Sequence, residues 1–324
     1  MMIDNLEYFK VFENKKSNTM LISIGEIHTS EKCESTGPTQ SILDFLEEIY
    51  NLNSVSRLSK DRILFLLLEM QTAVKTSKDP IDLYNTAQCG LFYMCKNIKQ
   101  KNVDFINIDP RRWESLSWLL SMYVFIYENK ILNINDVKIK FDILSANFEQ
   151  LNLQIKDFVD SVGRVNLISN ASGMIVQDIN NILSNLRKLK TNYDQSPGVG
   201  LSDDKIIHEL IDSLWINIQD LYTLIFIKNN HINILYTGSK HNINIERGLL
   251  RDGWRMYDIA HNIKTNCTFV NKGMLFRRID KYVEKIIKYG YKYDIKRPLR
   301  GPRRAVAIAG SAKRPRYSPP GQGP

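Results

Sequence analysis

Two short segments share one chemical spacing. Gly25-Glu26-Ile27-His28 and Gly238-Ser239-Lys240-His241 each place a histidine three residues after a glycine. Each begins where an apolar run ends, Thr19–Ile24 in the first case and Ile232–Thr237 in the second. A neutral imidazole ligates a metal or accepts a proton near neutral pH, and a glycine lets the chain turn off a strand without a Cβ clash. With 16 Gly and 5 His in 324 residues, chance predicts about 0.25 such spacings. A matched pair after two apolar runs therefore points to a site more than to two locally bonded histidines. Charged residues close two further runs. Arg62–Leu68 ends at Glu69, and Val103–Ile108 ends at Asp109-Pro110-Arg111-Arg112. Glu26 and Glu69 are suited to orient an imidazole, ligate a metal or deprotonate water. Arg111 and Arg112 suit an anionic substrate group or a developing oxyanion, with Asp109 beside them.

These side chains act together only if the runs that carry them are neighbouring strands. Thr19–Ile24, Arg62–Leu68, Val103–Ile108 and Ile232–Thr237 are nearly continuous in Ile, Leu, Phe and Val, as expected of strands buried on both faces of a parallel sheet. Met256–Ile259 reads as a fifth. Helical patterns over Thr39–Tyr50 and Asp82–Gln100 lie between the first three. The predicted fold is therefore α/β, with a mainly parallel central sheet and helices on both faces. Carboxyl ends of parallel strands converge on one rim, where ligands bind.

From Trp113 to Asn230 the pattern is almost wholly helical. Ser115–Asn129 is nearly all apolar, so its Met and aromatic residues read as core. Met174–Leu189 and Leu201–Lys228 carry regular apolar stripes, the latter with Ser202 as N-cap. This block is expected as a large inserted helical cap over the sheet. The expected organisation is residues 1–112 as the first half of an α/β core and 113–230 as the cap. Residues 231–296 form the second half with a terminal basic helix, and 297–324 a disordered tail. That tail holds Arg297, Arg300, Arg303, Arg304, Lys313, Arg314 and Arg316 and no acidic residue, against a whole-chain net charge of +9. Such a segment has too little apolar surface to offset its ordering entropy.

Other features bound the function. The longest apolar run, near Leu116–Tyr127, is short of the roughly 18–20 residues that span a bilayer, and Met1–Lys16 lacks a signal-peptide core. Cys33, Cys89, Cys95 and Cys267 show no CxxC spacing, which argues for a reducing, intracellular setting without a zinc ribbon. The Asn, Ile and Lys bias suggests an AT-rich coding genome, such as that of a large DNA virus or a protist. His208 and His231 read as solvated or locally bonded. His261 falls near the expected rim and is a further candidate. Arg277–Lys296 reads as an amphipathic helix that docks an Ile/Tyr face and turns a basic face outward.

The paired motifs, the strand-terminal Glu69 in LFLLLEM, and Asp220-Leu221-Tyr222 ahead of INILYTGSKH together resemble the TraB/TIKI/erythromycin-esterase/ChaN-like superfamily. The GEIH form is similar to the opening motif of the ChaN and esterase branches, and LLRDGWRMY to the closing helix and strand. The resemblance covers Thr19–Asp109 and Leu214–Ile259. Gln219 stands where TraB-like members carry arginine, and Lys240 where a small residue is common. The resemblance implies water-mediated hydrolysis: TIKI-like members are divalent-metal-dependent proteases, esterase-like members use histidine as a base without an obligatory metal, and ChaN-like members bind haem iron. It carries Glu26, His28, Glu69 and His241 as site residues, with Asp109 and Asp220.

The expected function is hydrolysis of a small-molecule or peptide ester or amide by water activated at His28, at His241 or at both. Glu26 and Glu69 orient the rings, or Glu26 shares a divalent metal with both histidines, Mn, Fe, Co or Zn. Asp109 and Arg111 shape the pocket. The alternative is an inactive ligand-binding protein whose basic segment 297–324 contacts nucleic acid or an import receptor, with cytoplasmic or nuclear placement.

Overall fold

The structure, a computed structural model, describes residues 2–4, 6–26, 39–58, 64–68, 103–107, 146, 148–160, 169–195, 203–264 and 267–289. Its strands are β1 (Met2–Asp4), β2 (Leu6–Asn14), β3 (Thr19–Glu26), β4 (Thr39–Gln40), β5 (Leu64–Leu68), β6 (Val103–Asn107), β7 (Ile232–Gly238), β8 (Arg255–Tyr257), β9 (Ala260–Lys264) and β10 (Cys267–Val270). Six of them form one sheet in the order β6-β5-β7-β3-β2-β8, and four short ones form a second, β4-β1-β10-β9.

The sheets are mixed, which corrects the expectation of a mainly parallel sheet. β6, β5, β7 and β3 run parallel to one another. β2 is antiparallel to both β3 and β8, and two of the three pairings in the small sheet are also antiparallel. The physical source is a hairpin at Asn14–Thr19. Asn14 Oδ1 accepts the amides of Lys16 and Ser17, and Asn18 takes the left-handed conformation at φ 45° that asparagine tolerates well. The hairpin places a two-faced strand, LEYFKVFEN, on the edge of the parallel ladder.

The helices are α1 (Ile42–Tyr50), α2 (Asn53–Ser56), α3 over 148–160, α4 (Ser169–Gln195), α5 (Asp203–Phe226), α6 (Ser239–Arg251) and α7 (Lys272–Tyr289). They cover both sheet faces. Strand alternation decides the side. Met20, Ile22 and Ile24 of β3, with Ile232, Ile234 and Tyr236 of β7, pack against α1, α2 and α7. Leu21 and Leu235 point the other way, into the layer of α3, α4, α5 and α6. In α5, Ile207, Ile211, Leu214, Ile218 and Leu221 are buried at helical spacing. Each contributes roughly 1.5–3 kcal/mol of transfer free energy.

Several sequence expectations take definite form. The stripe over 174–189 lies inside α4, and α5 occupies 203–226 of the range 201–228. Thr39 and Gln40 pair with β1, and α1 begins at Ile42, capped by Ser41 Oγ accepting the Asp44 amide at 3.1 Å. The terminal helix starts at Lys272 and buries Leu275, Ile279, Tyr282, Val283 and Ile286. It is tied to α1 by Lys272–Glu48, and to β2 by Arg278–Glu13 at 3.5 Å. Residues 82–100, 115–129 and 297–324, and Ser202, lie outside the described residues. No described helix is long and apolar enough to cross a bilayer.

Candidate active site at the strand ends

Register fixes where the chemistry can gather. Glu26 pairs with Gly238, Leu68 with Tyr236, and Leu68 with Asn107. The carboxyl ends of β3, β7, β5 and β6 therefore lie side by side. Glu26 closes β3 at this edge; its side chain is not described. His28, Glu69, Asp109, Arg111 and Arg112 lie outside the described residues.

His241 is described, and its setting is specific. β7 ends at Gly238, the N-cap of α6, so His241 falls in the first helical turn. Its Nδ1 lies 2.8 Å from Asp220 Oδ1 on α5. Asp220 is fully buried. Its second oxygen, Oδ2, accepts Asn244 Nδ2 at 2.6 Å. The other hydrogen of that amide reaches Asn217 Oδ1 at 3.3 Å, and Asn217 Nδ2 donates to Ser213 O at 2.8 Å. Donors on both oxygens suit an ionised carboxylate, which only accepts. Nδ1 of His241 then carries the proton toward Asp220, which leaves Nε2 as the ring's acceptor nitrogen. The His241 side chain keeps 11% exposure.

A second network locks this helix to the sheet. Asn242, fully buried, donates to Ile24 O at 3.1 Å, Thr237 Oγ1 at 2.9 Å and Gly238 O at 3.1 Å. Its Oδ1 accepts the hydroxyl of Ser23. The glycine of the first motif serves this contact. A Cβ on Gly25 would stand 2.8 Å from Asn242 Nδ2, 2.9 Å from Ser239 Cα and 2.9 Å from Tyr8 Cβ. Gly25 is still inside β3, and Gly238 has an ordinary extended conformation at φ −63°. The expected need for a sharp turn is therefore replaced by a need for close approach. Opposite Gly25, β2 carries an irregularity between Leu6 and Tyr8, a feature common beside active sites. Tyr8 donates to Glu246 on α6, and burial followed by that carboxylate pushes its phenol far above the usual range.

Three other histidines are described. His231 bonds Asn229 O at 2.6 Å, just before β7. His261 lies in β9 of the small sheet, paired with Phe269 of β10. His208 is in α5. Lys240 is exposed, 3.9 Å from Asp212, and Gln219 is buried with Nε2 unpartnered among the described residues. Asn242, Asn244, Asn217 and Ser23 were not singled out from sequence. The available signal was Asn242 falling three residues before buried Ile245 and seven before Leu249 on one helical stripe.

His241 with a carboxylate on Nδ1 has the donor arrangement of a metal-bound or proton-accepting histidine. Among the described residues no three His, Cys, Asp or Glu side chains form a group that could hold a metal ion. Compared with known proteins, the chain matches no family model, no curated protein and no solved structure.

Proposed function

We propose that the protein is a hydrolase of the TraB/TIKI/erythromycin-esterase/ChaN-like type that activates water at His241 for attack on an ester or amide carbonyl. The observation that carries this reading is the 2.8 Å bond from His241 Nδ1 to fully buried Asp220 at the carboxyl end of β7. Nε2 takes a proton from water as the oxygen bonds to the carbonyl carbon. The imidazolium returns that proton to the leaving group as the scissile bond breaks. Asp220 holds the tautomer and stabilises the cation, as orienting carboxylates do in hydrolytic triads. Glu26, His28, Glu69, Asp109 and Arg111 complete the proposed site. His241, His28 and Glu26 would hold a divalent Mn, Fe, Co or Zn ion in a metal-dependent version, and the ion would supply Lewis acidity.

Hydrolysis of p-nitrophenyl esters and quenched fluorescent peptides by protein purified without chelator, with metal analysis of the same sample, tests the reading. Activity lost in His241→Ala and in Asp220→Asn is the expected result. Activity equal to wild type in both variants would remove the dyad from the mechanism.

A second reading is a binding module on the same fold. Arg277, Lys281, Lys285 and Lys288 follow at helical spacing on the exposed side of α7, whose apolar side is buried. Since that apolar face is already used, insertion into a membrane is disfavoured and phosphate attraction by nucleic acid is the favoured contact. An import receptor at 297–324, and cytoplasmic or nuclear placement, belong with this reading. Binding to a single-stranded oligonucleotide that weakens steeply with salt supports it, and salt-independent or absent binding removes it.

A further inference from the structure

A groove of about 410 Å³ runs between α4, α5 and α6. Its lining includes Asn244, which donates to Asp220, and Asn217, which accepts the other amide hydrogen of Asn244. Both amide hydrogens of Asn244 are used inward, so its carbonyl oxygen is the atom it offers to a ligand. Asp178 contributes a carboxylate from α4 and Arg247 a guanidinium from α6. Neither is ion-paired with a described residue. Ile182 and Ile216 add two apolar patches, and no aromatic ring is among the lining residues.

Opposite charges on separate helices, with asparagine amides in the same lining, match a molecule that carries an ammonium, a carboxylate and a peptide bond. A neutral sugar would leave both charges unanswered and would find no ring to stack on. Asn244 is one hydrogen bond from Asp220, and Asp220 one bond from His241.

We propose that this groove binds a small dipolar, peptide-like molecule, and that Asn244 links its occupancy to the His241 ring. Binding stands on the groove alone. Its consequence for catalysis rests on the proposed hydrolytic role, and a protein that binds but hydrolyses nothing separates the two.

The test is a titration of the full isotope-labelled chain with glycylglycine, followed by NMR, with glucose as the uncharged comparison. The expected result is saturable shifts at Asn217, Asn244 and Arg247. Asp178→Asn and Arg247→Gln should each weaken binding about tenfold while leaving the spectrum folded. The His241 ring signals should move in the wild type and stay fixed in Asn244→Ala. Absence of saturable shifts up to roughly 50 mM glycylglycine, or an equal response to glucose, overturns the site. Binding with stationary His241 signals in the wild type overturns the link.

Discussion

Asn242 gives its side-chain amide to the carbonyl oxygen of Ile24, 3.1 Å away and 218 positions earlier in the chain. This bond, with those to Thr237 and Gly238, ties the first turn of α6 to the ends of both β3 and β7. The position of His241, one residue before, is thereby set by the sheet. Ser23→Ala removes the donor to Asn242 Oδ1 and leaves a buried oxygen unsatisfied. The expected cost is about 1–3 kcal/mol, read as a lower urea midpoint at unchanged slope. A midpoint equal to wild type would mean that the network does not anchor the helix.

Gly25 and Gly173 make a matched comparison. Ala at position 25 meets backbone and side-chain atoms at 2.8–2.9 Å, whereas Ala at 173 in α4 meets nothing within 4 Å. Gly25→Ala should destabilise by about 1–3 kcal/mol. Gly173→Ala should stabilise by roughly 0.5–1 kcal/mol, since alanine loses less entropy in a helix. Equal effects of the same sign in thermal melts would contradict the packing reason given for Gly25.

Asp220→Asn keeps the shape of the side chain but removes the charge that fixes the His241 tautomer. Under the proposed mechanism kcat should fall by roughly 10³–10⁴-fold, the scale known for such a change in a hydrolytic triad. KM should change little, because Asp220 does not touch substrate. A loss confined to KM would place Asp220 in binding instead.

Alkaline pH should act through two buried phenols. Burial first, and Glu246 second, raise Tyr8 far above its usual range, and burial with Glu13 does the same for Tyr282. In the unfolded chain each ionises near its usual value of about 10, while the folded chain keeps the proton. The folded state then binds more protons, so stability falls as pH rises past 10, by up to about 1.4 kcal/mol per pH unit for each tyrosine. Tyr282→Phe should flatten that decline, as urea titrations between pH 9 and 11 would reveal.

Acid should act on the α1–α7 link. Burial tends to raise the Glu48 carboxyl, but the bonds from Lys272 and Gln40 outweigh it and hold the group below its usual range. Its stabilisation is therefore present above the unfolded value and is lost as pH falls through the lower, folded one. Glu48 is largely exposed, so Lys272→Met should cost only about 0.5 kcal/mol at neutral pH. The difference between variant and wild type should vanish in strong acid. A difference that persists there would assign it to packing of the lysine stem.

The ladder of β3, β5, β6 and β7 was legible because its strands carry nearly unbroken apolar runs, and α4 and α5 because their stripes repeat over many turns. β2 escaped notice because Glu7, Lys10 and Glu13 interrupt the apolar residues of LEYFKVFEN. Asp220 was visible only through family resemblance. In a helix its neighbour across space is His241, 21 positions away, and no local period reports such a pairing. Buried asparagines are harder still, since a polar residue on an apolar stripe looks like noise until its partners are known.

Strands β3 and β7 lie side by side, yet about two hundred residues separate them. At ribosomal speeds of roughly 5–20 residues per second, the first strand and its hairpin partner emerge some 10–40 s before the neighbour that covers their open edge. During that interval the nascent chain presents Met20, Ile22 and Ile24 without the β7 residues they are buried beside. Biosynthesis of this fold thus places an early demand on holding chaperones, and a late, abrupt closure of the sheet once the second histidine motif has left the exit tunnel.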